Sequence, residues 1–161
     1  MNGRQEVAAA KSRGSEQRVE AGAESAGDYS AAYALLRATL GVNIAMHGIS
    51  RILGGVGAFA AGLEKQFAAT ALPNFAVAAF AHALPWAEAA IGLLILFGAA
   101  TQFALIAGAL LILVLTFGTN LHQDWQVAGL QLIYAVVYAL LIAFRRYNAF
   151  SLDRAWSRNS G

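Results

Sequence analysis

The chain has 161 residues, enough for one domain. Hydrophobic residues make up 58% and charged residues 12%, against about 25% charged in an ordinary soluble domain. The net charge is only +2, with no basic face of the kind nucleic acid requires, and there is no cysteine, which excludes disulfides, thiolate metal sites, iron–sulfur ligation and a cysteine sulfur relay on this chain.

Residues Met1 to Asp28 are rich in Ala, Gly, Ser, Glu and Arg, with Val7 and Val19 the only sizeable apolar side chains. Such a segment buries too little surface to offset ordering, so residues 1–30 are expected to form a disordered tail. It has no apolar core of signal-peptide type, and the first hydrophobic helix is expected to act as an uncleaved anchor. From Ala31 to Phe144 the only charged residues are Arg37, Arg51, Glu64, Lys65, Glu88 and Asp124. A stretch so poor in charge reads as lipid-embedded helix.

The first span covers about Tyr33 to Leu53 and stops at Gly54-Gly55-Val56-Gly57. Residues Ala58 to Phe67 form a short amphipathic piece expected to lie along the membrane surface. Pro73 to Gly98 is the second span, interrupted at Pro85, where a backbone hydrogen bond is lost. The third runs from about Gln102 to Leu121, and His122-Gln123-Asp124-Trp125 makes a polar turn. The fourth runs from about Gln126 to Phe144 and ends at Arg145-Arg146-Tyr147. Each is near the roughly 20 residues a bilayer core demands. The expected architecture is an all-α bundle of four transmembrane helices over residues 31–147, with a short cytoplasmic tail over 148–161. Arg145 and Arg146 place the end of the fourth span in the cytoplasm, and Lys11, Arg13 and Arg18 agree for the N-terminus. The expected location is the inner (plasma) membrane.

Ala100, Ala104 and Gly108 repeat every four residues, as do Ala135, Ala139 and Ala143. Small residues at that spacing let helices approach closely in lipid, although alanine is abundant throughout the chain.

Ionisable groups within a bilayer are costly, which makes them candidates for function. In the first span Arg37, Asn43, His47 and Arg51 fall within a stripe roughly 120° wide. Arg37, near the cytoplasmic end, is read as snorkelling; His47 and Arg51 stack one turn apart. Glu88 needs a partner, and Arg51 is the obvious one. It is shallow if its span starts near Pro85 and close to mid-membrane if the start lies near Ala76. The pair suits an interhelical clamp and a site role equally. Asp124, Gln131, Tyr134 and Tyr138 share one stripe of the fourth span. Thr116 and Thr119 suit bonds to their own preceding turn, and Trp86 and Trp125 suit an interfacial aromatic belt. His47, His82 and His122 match no ligand spacing, so neither haem nor metal is expected.

Leu36-Arg37 with Leu40-Gly41, His47-Gly48 and Arg51-Ile52 resembles the opening helix of the DoxX/DoxD family. Pro85-Trp86-Ala87-Glu88 with Gly92-Leu93-Leu94 and Gly98 resembles its second helix. Phe117-Gly118-Thr119 through Gln123-Asp124-Trp125, and Gln131-Leu132-Ile133-Tyr134, resemble its later helices. The likeness spans roughly Tyr33 to Trp156. It implies a four-helix membrane redox protein, akin to the membrane subunit of thiosulfate:quinone oxidoreductase. On that reading Arg51 orients a sulfur oxyanion such as thiosulfate, and His47 or Glu88 manages protons. Gln131 and Tyr134 hydrogen-bond a bound quinone, with Trp125 or Trp86 against its ring. The other reading is a non-catalytic membrane anchor for a soluble redox enzyme, its polar groups serving as interhelical glue. Partners implied are the lipid bilayer, a second redox subunit and further copies of the chain.

Overall fold

Alanine and leucine favour helix, and helix is what a backbone in lipid requires, because it satisfies its own N–H and C=O groups. The computed structural model describes the backbone of residues 3–159 and the side chains of residues 25–158. Its elements are α1 (Gly3–Leu53), α2 (Val56–Phe67), α3 (Asn74–Phe97), α4 (Thr101–Leu121), α5 (Trp125–Ala143), one 3-10 turn (Arg145–Tyr147) and α6 (Leu152–Asn159). No strand occurs among the described residues. Helices α3, α4 and α5 are each long and apolar enough to cross a bilayer. The stretch of α1 from Ser25, taken with α2, passes as a fourth, bent by 102° at the break. The chain is an all-α membrane bundle.

Four features differ from the sequence expectation. Helix α1 starts at Gly3, inside the segment expected to be a disordered tail; its Ala, Glu, Gln, Lys and Arg residues are good helix formers, and composition alone underrated them. Met1 and Asn2, like Ser160 and Gly161 of the other expected tail, lie outside the described residues. Helix α3 runs unbroken through Pro85. The C-terminal segment turns back as α6 rather than trailing as a tail. Finally, Ala135, Ala139 and Ala143 are all exposed and face no neighbouring helix, while Ala100 precedes α4 in a left-handed conformation.

The closest packing is between α1 and α3. A Cβ added at Gly41 would collide with Leu96, one at Gly92 with the backbone of Ala45, and one at Gly48 with Ala89 and the carbonyl of Pro85. Small residues thus bring the two backbones together, and the contacts fix an antiparallel register. Leu40, Ile44, Ile95, Leu105, Tyr138 and Leu141 form the core between α1, α3, α4 and α5.

At one end of this pair the bundle is closed. Arg37 is only 5% exposed. Its guanidinium donates to the carbonyls of Ile95 and Leu96, at the end of α3, and to Phe150 O at 2.7 Å. A cation at a helix C-terminus meets both the unpaired carbonyls and the negative end of the dipole. Arg37 is therefore a cap for α3 and does not snorkel. The carboxylate of Asp153 accepts from Ala100 N (2.7 Å) and Thr101 N (2.8 Å), which caps the start of α4 and holds Ala100 at φ 45°.

Candidate functional site: a cleft where the first helix stops

At the other end α1 stops early. Gly54 and Gly55, the latter at φ 97°, end the helix and turn α2 away. Continuing the register set by Gly41, Gly48 and Gly92, Leu53 lies opposite about Leu84. The first ten or so residues of α3, about 15 Å of helix, therefore run on beyond α1. Helix α2 packs against this overhang at its steep angle instead of filling the place α1 would have taken. The space left over is a cleft of about 460 Å³ between α2, α3 and α4. That volume is typical of small-molecule sites.

Its walls are mostly apolar. Phe59, Leu63 and Phe67 of α2 recur every four residues and line one side; Val77, Phe80 and Leu84 of α3 line another. Gly118 of α4 opens the space towards Phe67, whose ring a Cβ there would meet at 3.2 Å. A few polar groups converge on this pocket: Arg51, Gln66, Thr119, His122 and Asp124. His122 stands edge-on to Phe67, with ring centroids 5.1 Å apart, and its Nε2 lies 3.3 Å from Gln66 Nε2. Asp124 caps α5 by accepting from Val127 N at 3.1 Å.

Arg51 and Glu88 form an ion pair. The side chain of Glu88 is 6% exposed and that of Arg51 30%, so the carboxylate is held inside the bundle while the guanidinium reaches into the cleft. The guanidinium also sits over the Phe59 ring, 4.7 Å from its centroid, a cation–π arrangement. Glu88 takes an N–H from only one of its nitrogens, and no other hydrogen bond to Arg51 occurs among the described residues. A guanidinium carries five N–H donors, so most of its capacity remains for a ligand.

No protein-family model, curated protein or solved structure matches this chain. Of the residues singled out from the sequence, Arg51 and Glu88 meet. His47 does not join them; its side chain is exposed on the outer face of α1. The buried face of α1 is centred on Arg37, Gly41, Ile44 and Gly48, which is one edge of the polar stripe. Asn43 and His47 lie roughly 80–120° around the helix from that centre, and only the long side chain of Arg51 reaches inward. Trp125 is 66% exposed beside the cleft and does not line it. Gln131 touches it only through Thr119, donating to that hydroxyl at 3.0 Å. Tyr134 points elsewhere and donates to Asn43 Oδ1 at 2.9 Å.

The residues missed from the sequence are the walls: Phe59, Phe67, Phe80 and Gln66; His122 is weighed there only as a haem or metal ligand. For Phe59 and Phe67 the signal is the period-four apolar run in Ala58 to Phe67. On its own that run suits the membrane surface, because nothing in the sequence reveals that α3 overhangs α1.

Proposed function

We propose that this chain is a redox protein of the plasma membrane whose cleft seats a quinone ring and whose Arg51 orients a small sulfur oxyanion of the thiosulfate type, as the likeness to the DoxX/DoxD family implies. The observation that carries this reading is an apolar cleft between membrane helices whose wall presents a guanidinium with unused donors. An apolar ring suits Phe59, Phe67 and Phe80. An oxyanion suits the fork of Arg51. The cleft end then faces outward, and Arg145 and Arg146 keep both termini cytoplasmic.

The overall reaction joins two thiosulfates through a new S–S bond, each giving up one electron. A quinone supplies the acceptor chemistry, taking those two electrons and two protons to become a quinol. With no cysteine, this chain offers no sulfur relay, and the reading places donor and acceptor in one cleft. The chain's own groups then have defined parts. The aromatic walls exclude water and hold the ring. Arg51 binds anion oxygens, and Glu88 fixes the guanidinium from behind. His122, with Gln66 beside it, stands at the polar rim and would supply a proton to a ring carbonyl bound there.

The test is thiosulfate-dependent reduction of a short-chain quinone by the purified protein in lipid vesicles. Activity that falls at least tenfold in Arg51→Gln supports the reading. Saturable quinone binding with no thiosulfate-dependent reduction would assign the chain to a non-catalytic role beside a soluble redox enzyme.

A further inference from the structure

Outside the cleft, one face of α1 is at odds with a lipid environment. Thr39, Asn43 and His47 recur every four residues and all are exposed. They sit in the stretch between Arg37 and Arg51, which carries no charge, with Asn43 near its middle. Uncovered amide and imidazole groups at that depth are costly. Beside them lies a shallow groove lined by Ala38, Thr39, Val42 and Asn43. Helix α5, which borders the same side through Tyr134, is the least covered of the three individually qualifying spans, with 17% of its window buried against 39% for α3.

We propose that a second copy of this chain docks along this face, with Asn43 of each copy hydrogen-bonded to Asn43 of the other at a two-fold axis. The groups left over at Asn43 suit a second copy. The Tyr134 hydroxyl donates to Asn43 Oδ1, which orients the amide. What remains is the Nδ2 donor and the second lone pair of Oδ1, a set complementary to itself. Two copies inserted in the same direction are related by an axis along the membrane normal, so equal residues meet. Exposed Leu36, Thr39, Asn43, Met46, Ser50 and Leu53 are spaced alternately by three and four residues, the spacing of a parallel helix-pair seam. A single asparagine in such a seam fixes register and copy number. His47 flanks it, which gives this residue a place at an interface and not in the cleft. The inference is independent of the quinone reading.

The chain contains no cysteine, so single cysteines report proximity cleanly. Met46→Cys and Phe103→Cys, the latter 70% exposed on α4, are each oxidised in full-length protein in lipid vesicles. A covalent dimer of twice the chain mass from Met46→Cys, with only background from Phe103→Cys, is the expected result. Adding Asn43→Leu should weaken dimerisation roughly three- to twentyfold, the range for polar contacts between membrane helices, and Tyr134→Phe, which removes only the bond within the chain, should leave the dimer in place. Equal cross-linking at both positions, dimer affinity unchanged by Asn43→Leu, or a Met46→Cys adduct to a different protein would each overturn the proposal.

Discussion

Arg37 and Arg51 lie on the same helix, yet the two ends of the α1–α3 pair use them in opposite ways. At the Arg37 end the guanidinium is spent on backbone: Ile95, Leu96 and Phe150 take its protons, and α6 closes over it. At the Arg51 end one carboxylate holds the cation from behind, and its front faces a cleft. The difference comes from the chain around each residue. Gly98 ends α3 beside Arg37 in a left-handed turn and delivers carbonyls to it. Gly54 and Gly55 end α1 just after Arg51 and leave a vacancy in the packing. Burial and charge alone therefore do not mark a functional arginine. What separates Arg51 from Arg37 is a set of unused donors facing a cavity.

Substitutions can break or sharpen this contrast. The largest effect is expected for Arg37→Leu, which orphans buried carbonyls at the end of α3. It should cost on the order of 3–5 kcal/mol, read as a large fall in thermal stability and loss of protection from hydrogen exchange in α6. Arg51→Gln and Glu88→Gln should cost less, about 1–3 kcal/mol, and unequally. Removing Arg51 strands a carboxylate that is 6% exposed, whereas removing Glu88 leaves a guanidinium that is 30% exposed and can rehydrate. Arg51→Gln should therefore be the less stable of the two, and the double variant should recover part of the loss. Equal unfolding midpoints would contradict that account of the pair.

A smaller effect separates the ends by pH. Burial raises the pKa of Asp153, but the amide and hydroxyl of Thr101, the amide of Ala100 and the charge of Arg37 together outweigh it and hold the carboxyl below its ordinary value. A carboxyl lowered in the folded state stabilises above its unfolded pKa, and that contribution is lost as pH falls through the folded one. The Arg37 end should loosen on acidification below about pH 4, seen as lost protection from hydrogen exchange in α6. Asp153→Asn should give the loosened behaviour at neutral pH. The smallest effect on stability is expected for Gly118→Leu, whose side chain enters the cleft beside Phe67. It should fold once the Phe67 ring shifts by a few tenths of an ångström, and lose at least tenfold in quinone affinity.

Much of this was legible in the sequence. The apolar spans, the Gly54–Gly55 break and the polar turn before α5 follow from composition and from residues that cannot continue a helix. The Arg51–Glu88 pair follows from the rule that buried charges find partners. Two things were not legible. The side of α1 that faces inward is set by Gly41, Gly48 and Gly92, which admit α3, and not by the polar stripe. Hence His47 and Asn43 point outward. The cleft depends on how far α3 extends past α1, a tertiary offset that no local pattern encodes, so Phe59 and Phe67 read as surface residues. From sequence alone Arg37 reads as a snorkelling side chain, because its partner, the C-terminal segment near Phe150, lies far off in sequence.

The most direct test of the central claim is calorimetric titration of a short-chain benzoquinone into the full-length protein in lipid nanodiscs. The account predicts one saturable site per chain, weakened at least tenfold by Arg51→Gln and by Gly118→Leu, and unaffected by Asp153→Asn at the opposite end. Binding that is absent, or that is indifferent to both cleft substitutions, would contradict it.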